Sequence, residues 1–314
     1  MAEKFSEEVL DWLRGRCDVV VADPWADGER WKEVAPDVDA IMSRKSQVTG
    51  EIMRASEGRL KIVARTGVGV DPSRVDLQTA RELRIWVTNM PGSNSAAVAE
   101  LAFAQMLSLT RHTHAADAAV REGRWSDSVK LFGTELAGKT LGIIGFGNIG
   151  ARVAMRARAF EMEFMAYDPY IPETYITATL GKPATLDELL TASDYVTIHC
   201  PLTDETRGMI GARELAMMKP TAVIMNLARG GIIEEQALYE ALRDGKVAAA
   251  AVDAMAQEPP DPNHPLFKLP NILLSPHIGG STREASNRGE WGAAQEVVRV
   301  LEGHPPKNPV ITFE

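Results

Sequence analysis

A glycine-rich hexapeptide in the middle of the chain constrains the fold more than any other sequence feature. Gly145-Phe146-Gly147-Asn148-Ile149-Gly150 follows the apolar run 141–144 and precedes an alanine-rich segment of helical periodicity, 151–160. In a strand–turn–helix unit, the first glycine permits a tight turn, the second lets an anion approach the backbone, and the third lets the helix pack closely on the strand. We therefore expect a parallel α/β domain whose first turn binds a phosphate-bearing ligand.

An acidic residue follows this motif at the spacing that dinucleotide binding requires. Asp168 ends the next apolar run, about 20 residues after the motif. A carboxylate at this position accepts hydrogen bonds from the adenosine ribose hydroxyls and repels a 2′-phosphate. Because Pro169 and Tyr170 follow it and no basic residue lies beside it, the sequence predicts NAD rather than NADP as the cofactor.

Short apolar runs rich in β-branched residues alternate with helix-period segments along nearly the whole chain. The first series predicts strands at 17–22, 39–43, 60–64 and 85–88, and the second predicts them at 139–145, 164–169, 195–200, 222–228, 248–254 and 271–277. Met90-Pro91-Gly92 separates the two series. We predict a Rossmann-type doubly wound parallel sheet, residues 93–283, inserted into a smaller flavodoxin-like α/β domain made of residues 1–92 and 284–314.

Composition and charge exclude several classes of protein. The 34 basic and 43 acidic residues give a net charge of −9, without a basic block that could follow a phosphate backbone, so nucleic acid is not an expected partner. Cys17 and Cys200 have no CxxC partner, which argues against a disulfide framework and against structural zinc. No apolar run approaches the ~20 residues that cross a bilayer, and residues 1–13 lack the layout of a signal peptide. We expect a cytoplasmic protein without a metal or a membrane partner.

Three predicted strands of the second series end in polar groups that have no packing use in a buried sheet. Arg229 follows one strand, Glu258 lies after the next, and His277 ends the last. Since ligands of parallel sheets bind outside the carboxyl ends of the strands, these groups should lie near the cofactor. A guanidinium pairs with a carboxylate, and a glutamate can orient an imidazole that titrates near neutrality. The set suits a 2-hydroxy acid, although a structural ion pair for Arg229, an exposed loop acid for Glu258 and a helix-approach histidine for His277 remain open alternatives.

Seven segments resemble the D-isomer-specific 2-hydroxyacid dehydrogenases, the family of phosphoglycerate, glyoxylate/hydroxypyruvate and D-lactate dehydrogenases. They are RTGVGVD (65–71), NMPGSNSAAVAEL (89–101), LGIIGFGNIG (141–150), HCPLTDETRGMI (199–210), MNLARGGIIEEQAL (225–238), VDAMAQEPP (252–260) and SPHIGGST (275–282). The resemblance implies an NAD-dependent oxidoreductase that interconverts a 2-hydroxy acid of D configuration and its 2-keto acid. It implies that Arg229 binds the substrate carboxylate and carbonyl oxygen, that His277 is the general acid/base, and that Glu258 orients His277 and stabilises its charge.

The same resemblance assigns further binding residues. Backbone amides of Val68 and Gly69 would bind the substrate carboxylate from the other domain. NAD would be lined by residues of several loops: Gly147, Asn148, Ile149, Asp168, Pro201, Thr206, Ala228, Asp253 and Gly279. In the segment 41–49, Arg44 lies one place later than in the phosphoglycerate-type loop, which argues against a phosphorylated substrate because strand side chains alternate faces. The alternative function is an NAD-sensing binding protein of the corepressor type, built on the same fold.

One predicted helix carries an expectation about assembly. The segment 94–121 predicts a single long helix, and its apolar run AAVAELAFAQML is interrupted only by Glu100 and Gln105. A helix that is apolar on more of its surface than one monomer covers usually marks an interface. We therefore predict a homodimer formed through the NAD-binding domains.

Overall fold

The structure, a computed structural model, describes residues 5–21, 33–44, 46–70 and 74–313. The chain divides into two compact units, the first comprising residues 1–94 with 281–314 and the second residues 95–280. The sequence placed these divisions after residues 92 and 283. Within the described ranges, no helix is both long enough and apolar enough to cross a membrane.

A parallel sheet, with three strands in the part of the chain that the structure describes, forms the centre of the first unit. The strands β1 (Ala40–Ser43), β2 (Ile62–Arg65) and β3 (Trp86–Thr88) lie side by side in chain order. Among the described residues, the α-helices of this unit with defined bounds are α1 (Glu7–Arg14), α2 (Gly50–Ala55), α3 (Leu77–Glu82) and α11 (Arg283–Leu301). Side chains of α2 and α3 share a core with one face of the sheet, whereas α11 packs on the other face. Layers of helix on both faces make this unit an α/β structure.

Seven parallel strands form the sheet of the second unit. They are β4 (Thr140–Ile144), β5 (Glu163–Tyr167), β6 (Lys182–Pro183), β7 (Tyr195–Ile198), β8 (Val223–Asn226), β9 (Ala249–Val252) and β10 (Ile272–Leu274). Their spatial order is β10-β9-β8-β7-β4-β5-β6, so the strand order reverses between β4 and β7. In doubly wound sheets ligands bind at this reversal, outside the carboxyl ends of the strands.

Helices cover both faces of the seven-stranded sheet, as the α/β prediction requires. They are α4 (Ser95–Thr110), α5 (Thr113–Arg121), α6 (Asn148–Ala159), α7 (Glu173–Ala178), α8 (Leu186–Ala192), α9 (Ala212–Met217) and α10 (Glu235–Arg243). The helices α4 and α6 share one hydrophobic core with the sheet, and α8, α9 and α10 share a second core on the opposite side. The predicted α/β class and doubly wound sheet are confirmed.

Two strand predictions differ from the structure. The strand predicted at 17–22 is wrong over its described part, because Cys17–Val21 belong to no strand, and Val20 and Val21 are 60% and 51% exposed. A β-branched run becomes a strand only where a neighbouring strand completes its hydrogen bonds. Conversely, β6 was not predicted, since it is only two residues long and contains Pro183, which is tolerated at the edge of a sheet.

The single helix predicted over 94–121 is also wrong. Helix α4 ends at Thr110, His112 adopts the left-handed conformation with φ of 52°, and α5 begins at Thr113. The apolar side chains of α4 are buried within the monomer, where Val98, Phe103 and Met106 belong to the same core as α6 and the sheet. The argument that this helix exposes an apolar face therefore fails.

Candidate active site

The glycine turn between β4 and α6 has the geometry of an anion site. Gly145 has a φ of +89°, and a Cβ on Gly150 would lie 2.2 Å from the carbonyl oxygen of Gly145, so both positions require glycine. A Cβ on Gly147 would meet no atom within 4 Å, so the space before this residue is open. Gly147 is also the N-cap of α6 and has no side chain with which to cap it, which leaves the first amides of the helix available to a pyrophosphate.

Asp168 is held at this turn by backbone amides. Phe146 N donates to its Oδ2 at 2.8 Å, and Tyr170 N donates to its Oδ1 at 2.9 Å. The residue is half-buried, and each carboxylate oxygen keeps a further lone pair for a ribose hydroxyl. The residues present therefore fit a dinucleotide at the position that the sequence predicted.

The loop after β7 lies against the glycine turn. A Cβ on Gly145 would meet the backbone nitrogen of Cys200 at 2.6 Å, which shows how closely the two loops approach. Further along, Thr206 Oγ1 donates to Pro201 O at 2.7 Å and accepts from Thr203 N at 2.8 Å. The Thr206 hydroxyl thus holds the shape of the loop in which both predicted cofactor residues, Pro201 and Thr206, are found.

Two titratable groups in this loop are kept neutral at physiological pH. His199 Nε2 lies 2.9 Å from Thr197 Oγ1, whereas its Nδ1 has no accessible surface and no partner among the described residues. Burial lowers the pKa of His199 to about 3 and raises the pKa of Cys200 to about 11. A neutral imidazole and a protonated thiol are unsuited to acid/base or nucleophilic work at neutral pH, so the chemistry must come from other residues.

Arg229 follows β8 in a turn that Asn226 closes. The buried Asn226 side chain donates to Arg229 O at 2.8 Å and accepts from Ala228 N at 3.1 Å. The Arg229 guanidinium donates to Ala228 O at 2.8 Å, and within the described part of the chain no carboxylate lies at ion-pair distance from it. A half-buried guanidinium without an acidic partner is suited to a carboxylate supplied by a ligand.

His277 and Glu258 form a direct pair. His277 Nδ1 lies 2.9 Å from Glu258 Oε1 and 2.8 Å from Oε2, and roughly a third of each side chain is exposed. Because a carboxylate only accepts hydrogen bonds, Nδ1 carries the hydrogen, and Nε2 is left to exchange a proton with a ligand. Gly230 brings the Arg229 turn against the same loop, since a Cβ there would lie 2.0 Å from Met255 O.

The loop that carries His277 is organised by the buried Asp253. Its carboxylate accepts from Ile278 N at 2.9 Å and from Gly279 N at 2.8 Å, and His277 N donates to its backbone carbonyl at 2.8 Å. His277 itself has a φ of 52°, in the left-handed region that non-glycine residues rarely adopt. These bonds show Asp253 holding the His277 loop, a role that the sequence did not predict for a residue assigned to the cofactor.

The structure places most of the predicted residues on one edge of one sheet. The glycine turn, Asp168, the loops after β7 and β8, and the loops with Glu258 and His277 all follow the carboxyl ends of strands of the second unit. Val68 and Gly69 lie in the first unit, after β2, where Asn89 Nδ2 donates to Val68 O at 2.7 Å. Sequence reasoning missed Asn226, although a polar side chain that ends an apolar strand just before Arg229 was a usable signal.

Comparison with known proteins gives this geometry a family. Residues 103–279 match the model described as the D-isomer specific 2-hydroxyacid dehydrogenase, NAD binding domain. The chain belongs to the D-isomer specific 2-hydroxyacid dehydrogenase family. The seven-stranded unit of this family member is accordingly a NAD-binding domain, which confirms the predicted cofactor.

Individual relatives lie across the family. The chain is 42% identical over 312 residues to D-3-phosphoglycerate dehydrogenase of Archaeoglobus fulgidus, covering 99% of this chain and 58% of that protein. It is 41% identical over 289 residues to hydroxypyruvate reductase of Thermotoga maritima, covering 91% and 92% respectively. The crystal structure of NAD-dependent formate dehydrogenase from Staphylococcus aureus in complex with NAD is 33% identical, with a TM-score of 0.83 over 98% of this chain and 92% of that one. This chain spans little more than half the length of its phosphoglycerate dehydrogenase relative.

Proposed function

We propose that this family member is an NAD-dependent oxidoreductase that interconverts a 2-hydroxy acid of D configuration and its 2-keto acid. One observation carries the proposal: an imidazole paired with a carboxylate lies on the same sheet edge as a guanidinium that has no acidic partner in the described ranges. The guanidinium can bind a carboxylate and the imidazole can transfer a proton, and the reduction of a 2-keto acid requires both. NADH, when bound, supplies the hydride.

Each group has a distinct role in the proposed reaction. In reduction, His277 Nε2–H donates the proton that the substrate oxygen acquires, and in oxidation neutral Nε2 accepts it. Arg229 binds the substrate carboxylate and polarises the carbonyl oxygen, so negative charge that develops on that oxygen is stabilised. Glu258 fixes the ring so that Nε2 faces the substrate, and its charge stabilises the imidazolium. Val68 and Gly69 donate backbone N–H groups to the substrate carboxylate.

We propose that the cofactor is held by the residues of the glycine turn and the neighbouring loops. They are Gly145, Gly147, Asn148, Ile149, Gly150, Asp168, Pro201, Thr206, Ala228, Asp253 and Gly279. Two features support this assignment: the open space before Gly147 and the placement of the Asp168 carboxylate beside the same turn. The Asp168 carboxylate would repel a 2′-phosphate, which favours NAD over NADP.

Two rival functions make different predictions. A NAD-sensing binding protein of the corepressor type would bind NADH without turning over a keto acid. The enzyme names of the relatives, including hydroxypyruvate reductase at 41% identity over nearly its full length, support turnover. A formate dehydrogenase is the nearer rival, but formate has no hydroxyl proton to transfer, so the Glu258–His277 pair would have no proton to move.

The decisive experiment is NADH oxidation by the purified chain with a panel of substrates: glyoxylate, hydroxypyruvate, 3-phosphohydroxypyruvate, pyruvate, sulfopyruvate and longer keto acids. We expect turnover with at least one of them, and we expect His277→Ala to lose ~10²–10⁴-fold in kcat. His304→Ala, which changes a histidine of the first unit after α11, serves as the matched control and should keep wild-type activity. NADH binding without turnover on any substrate, or a His277→Ala variant with wild-type kcat, would reject the proposal.

We also propose a homodimer through the NAD-binding domains, with a different surface from the one that the sequence suggested. Between α5 and β4, Trp125, Val129 and Phe132 are 76%, 78% and 92% exposed. Ion pairs of Asp127 with Arg124 and Lys130 hold the turn that presents them. Large apolar side chains on an ordered turn are costly to leave in water, and a second copy of the chain is the partner that would cover them symmetrically.

We propose a cytoplasmic location for the protein. Both cysteines, Cys17 and Cys200, are free thiols, and a reducing compartment keeps them so. NADH-dependent keto-acid reduction also draws on a cofactor pool that is found inside cells.

A further inference from the structure

A buried amide lies behind the His277 loop, on the helix that the sequence assigned to an interface. Gln105 is on α4 and only 3% exposed, with Ala102 and Met106 of the same helix both fully buried beside it. Its Nε2 lies 2.9 Å from Ser275 Oγ. Helix α4 also touches the loop directly, since a Cβ on Gly279 would lie 3.5 Å from Val98 Cγ2.

The donor and acceptor groups themselves fix the direction of the two hydrogen bonds that Ser275 makes with Gln105 and Asp253. Ser275 has one hydroxyl hydrogen, and its Oγ contacts both Asp253 Oδ1 and Gln105 Nε2. The Asp253 carboxylate accepts backbone N–H groups and has no hydrogen to give, so Ser275 must donate to it. Gln105 is therefore the donor to Ser275, and the series of hydrogen bonds runs from Gln105 through Ser275 to Asp253.

Retaining this amide has a cost to stability. Gln105 Oε1 is buried and has no hydrogen-bond partner among the described residues. A buried acceptor without a partner is unfavourable, and an apolar side chain of similar size would avoid the penalty. The stability of α4 therefore does not account for a glutamine at this position, whereas the hydrogen bond that Gln105 donates to Ser275 does.

We propose that Gln105 is a positioning residue for His277, acting through Ser275 and Asp253; this rests on the proposed function. By donating to Ser275 Oγ, Gln105 turns the hydroxyl hydrogen toward Asp253 Oδ1. The carboxylate is then held so that Ile278 N and Gly279 N both reach it. These bonds hold the left-handed backbone of His277, and with it the direction in which the imidazole leaves the backbone.

The first test replaces Gln105 by leucine in the full chain. We expect Gln105→Leu to leave the melting temperature unchanged or raise it, while kcat falls about tenfold or more. In a His277→Ala background, the same substitution should cost nothing further, because no imidazole remains to be positioned. An effect on general structure would instead lower the residual rate in both backgrounds equally, and that result, or a wild-type kcat in Gln105→Leu, would overturn the proposal.

Ser275 supplies the second variant and the rescue. Ser275→Ala should reproduce the loss in kcat, Ser275→Thr should retain most of the activity because it keeps the hydroxyl, and Gln105→Leu/Ser275→Ala should be no worse than the worse single variant. If Gln105→Leu fails to fold, Ser275→Ala and Ser275→Thr decide the question. Additive losses in the double variant, or equal activity of the alanine and threonine variants, would contradict a series of hydrogen bonds through Ser275.

A readout independent of turnover separates this proposal from the proposed function. Hydrogen exchange of the Gly279 amide reports the bond to Asp253 directly. We expect this amide to exchange about tenfold or more faster in Gln105→Leu than in the wild type, with exchange in α8, on the opposite face of the sheet, unchanged. If the wild type reduces no keto acid but Gly279 exchange responds in this way, the proposed function fails and the hydrogen-bond series from Gln105 to Asp253 stands. Unchanged Gly279 exchange overturns the hydrogen-bond series itself.

Discussion

His277 shows how one residue is held from two sides. Glu258 holds the ring through Nδ1, and Asp253 holds the backbone on either side of it through its carboxylate and its carbonyl oxygen. The left-handed conformation of a non-glycine residue costs of the order of 1–2 kcal/mol, which the hydrogen bonds of the loop offset. Sequence reasoning identified Glu258 and His277. The hydrogen bonds to Asp253 depend instead on β9 and β10 lying side by side, which places the residues that follow these two strands next to each other.

The charge of Glu258 can be tested separately from its hydrogen bond. Glu258→Gln keeps the size of the side chain but removes the negative charge to which the proposed mechanism assigns the stabilisation of the imidazolium. In the proposed mechanism, keto-acid reduction starts from protonated His277 and hydroxy-acid oxidation from neutral His277, so we expect kcat for reduction to fall more than kcat for oxidation. Oxidation should be measured with the hydroxy acid deuterated at C2, and reduction with NADH deuterated at the nicotinamide C4, to establish that hydride transfer limits the rate. Equal losses in the two directions would leave Glu258 with only an orienting role.

His199 should make stability depend on pH. Its pKa is lowered to about 3 by burial, against 6.5 for the unperturbed imidazole, so below pH 6.5 the unfolded chain binds a proton that the folded chain does not. Stability is therefore fully present above pH 6.5 and falls as the pH falls toward 3. We expect this group to remove about 2 kcal/mol of unfolding free energy between pH 7.5 and pH 5.

Urea unfolding of wild type and His199→Gln over this pH range measures the effect. Glutamine can keep the contact with Thr197 Oγ1 but does not titrate, so the variant should show a flatter pH dependence. Other groups that titrate in the range cancel in the difference between the two proteins. Parallel curves would mean that His199 takes up a proton in the folded state as easily as in the unfolded one.

At the scale of elements, glycine is needed for two different reasons in the unit formed by β4, the glycine turn and α6. Gly150 is needed because the helix and the turn touch at that point, whereas Gly147 faces open space. The G-x-G-x-x-G pattern treats all three glycines alike, and only the packing around each distinguishes a requirement of the fold from a requirement of the ligand.

Two alanine variants test this distinction. Gly150→Ala places a Cβ 2.2 Å from Gly145 O, so the backbone must shift, and we expect a loss of about 1–3 kcal/mol in unfolding free energy. Gly147→Ala has an allowed φ of −77° and no neighbour within 4 Å, so it should cost at most about 1 kcal/mol of unfolding free energy, because alanine is the poorer N-cap, while NADH affinity falls. Urea unfolding and NADH fluorescence titration measure the two effects. A Gly147→Ala variant that binds NADH normally would place the pyrophosphate elsewhere.

For the whole molecule, the proposed dimer interface around Phe132 can be tested by its effect on the state of assembly. Phe132→Glu puts a charge at the centre of the proposed interface, and we expect it to convert a dimer into a monomer. Leu180→Asp is the matched control: this residue is 69% exposed, belongs to the same unit and lies after α7, and its left-handed backbone tolerates aspartate. Light scattering at micromolar concentration gives the mass directly. A monomeric wild type, or a Phe132→Glu variant that remains dimeric, would refute this interface.

Local sequence alone determined the strand–turn–helix unit at Gly145–Gly150, nine of the ten strands found in the described residues, and the three catalytic candidates. These features depend on short-range rules: the period of apolar residues, the steric freedom of glycine, and polar groups at strand ends. The sequence also identified the family, because several of its motifs are themselves such local units. Charge, cysteine count and hydropathy narrowed the protein class without placing any residue in the site.

Tertiary structure alone decided which apolar and polar residues face inward. The run at 17–21 is as β-branched as the true strands but has no described partner strand, and the face of α4 that looked exposed from sequence is covered by α6 and the sheet. Gln105 looked like an interruption of an interface and is instead a buried donor to Ser275. The physical reason is the same in each case: burial and hydrogen bonding depend on neighbours distant in sequence, and a one-dimensional pattern does not contain them.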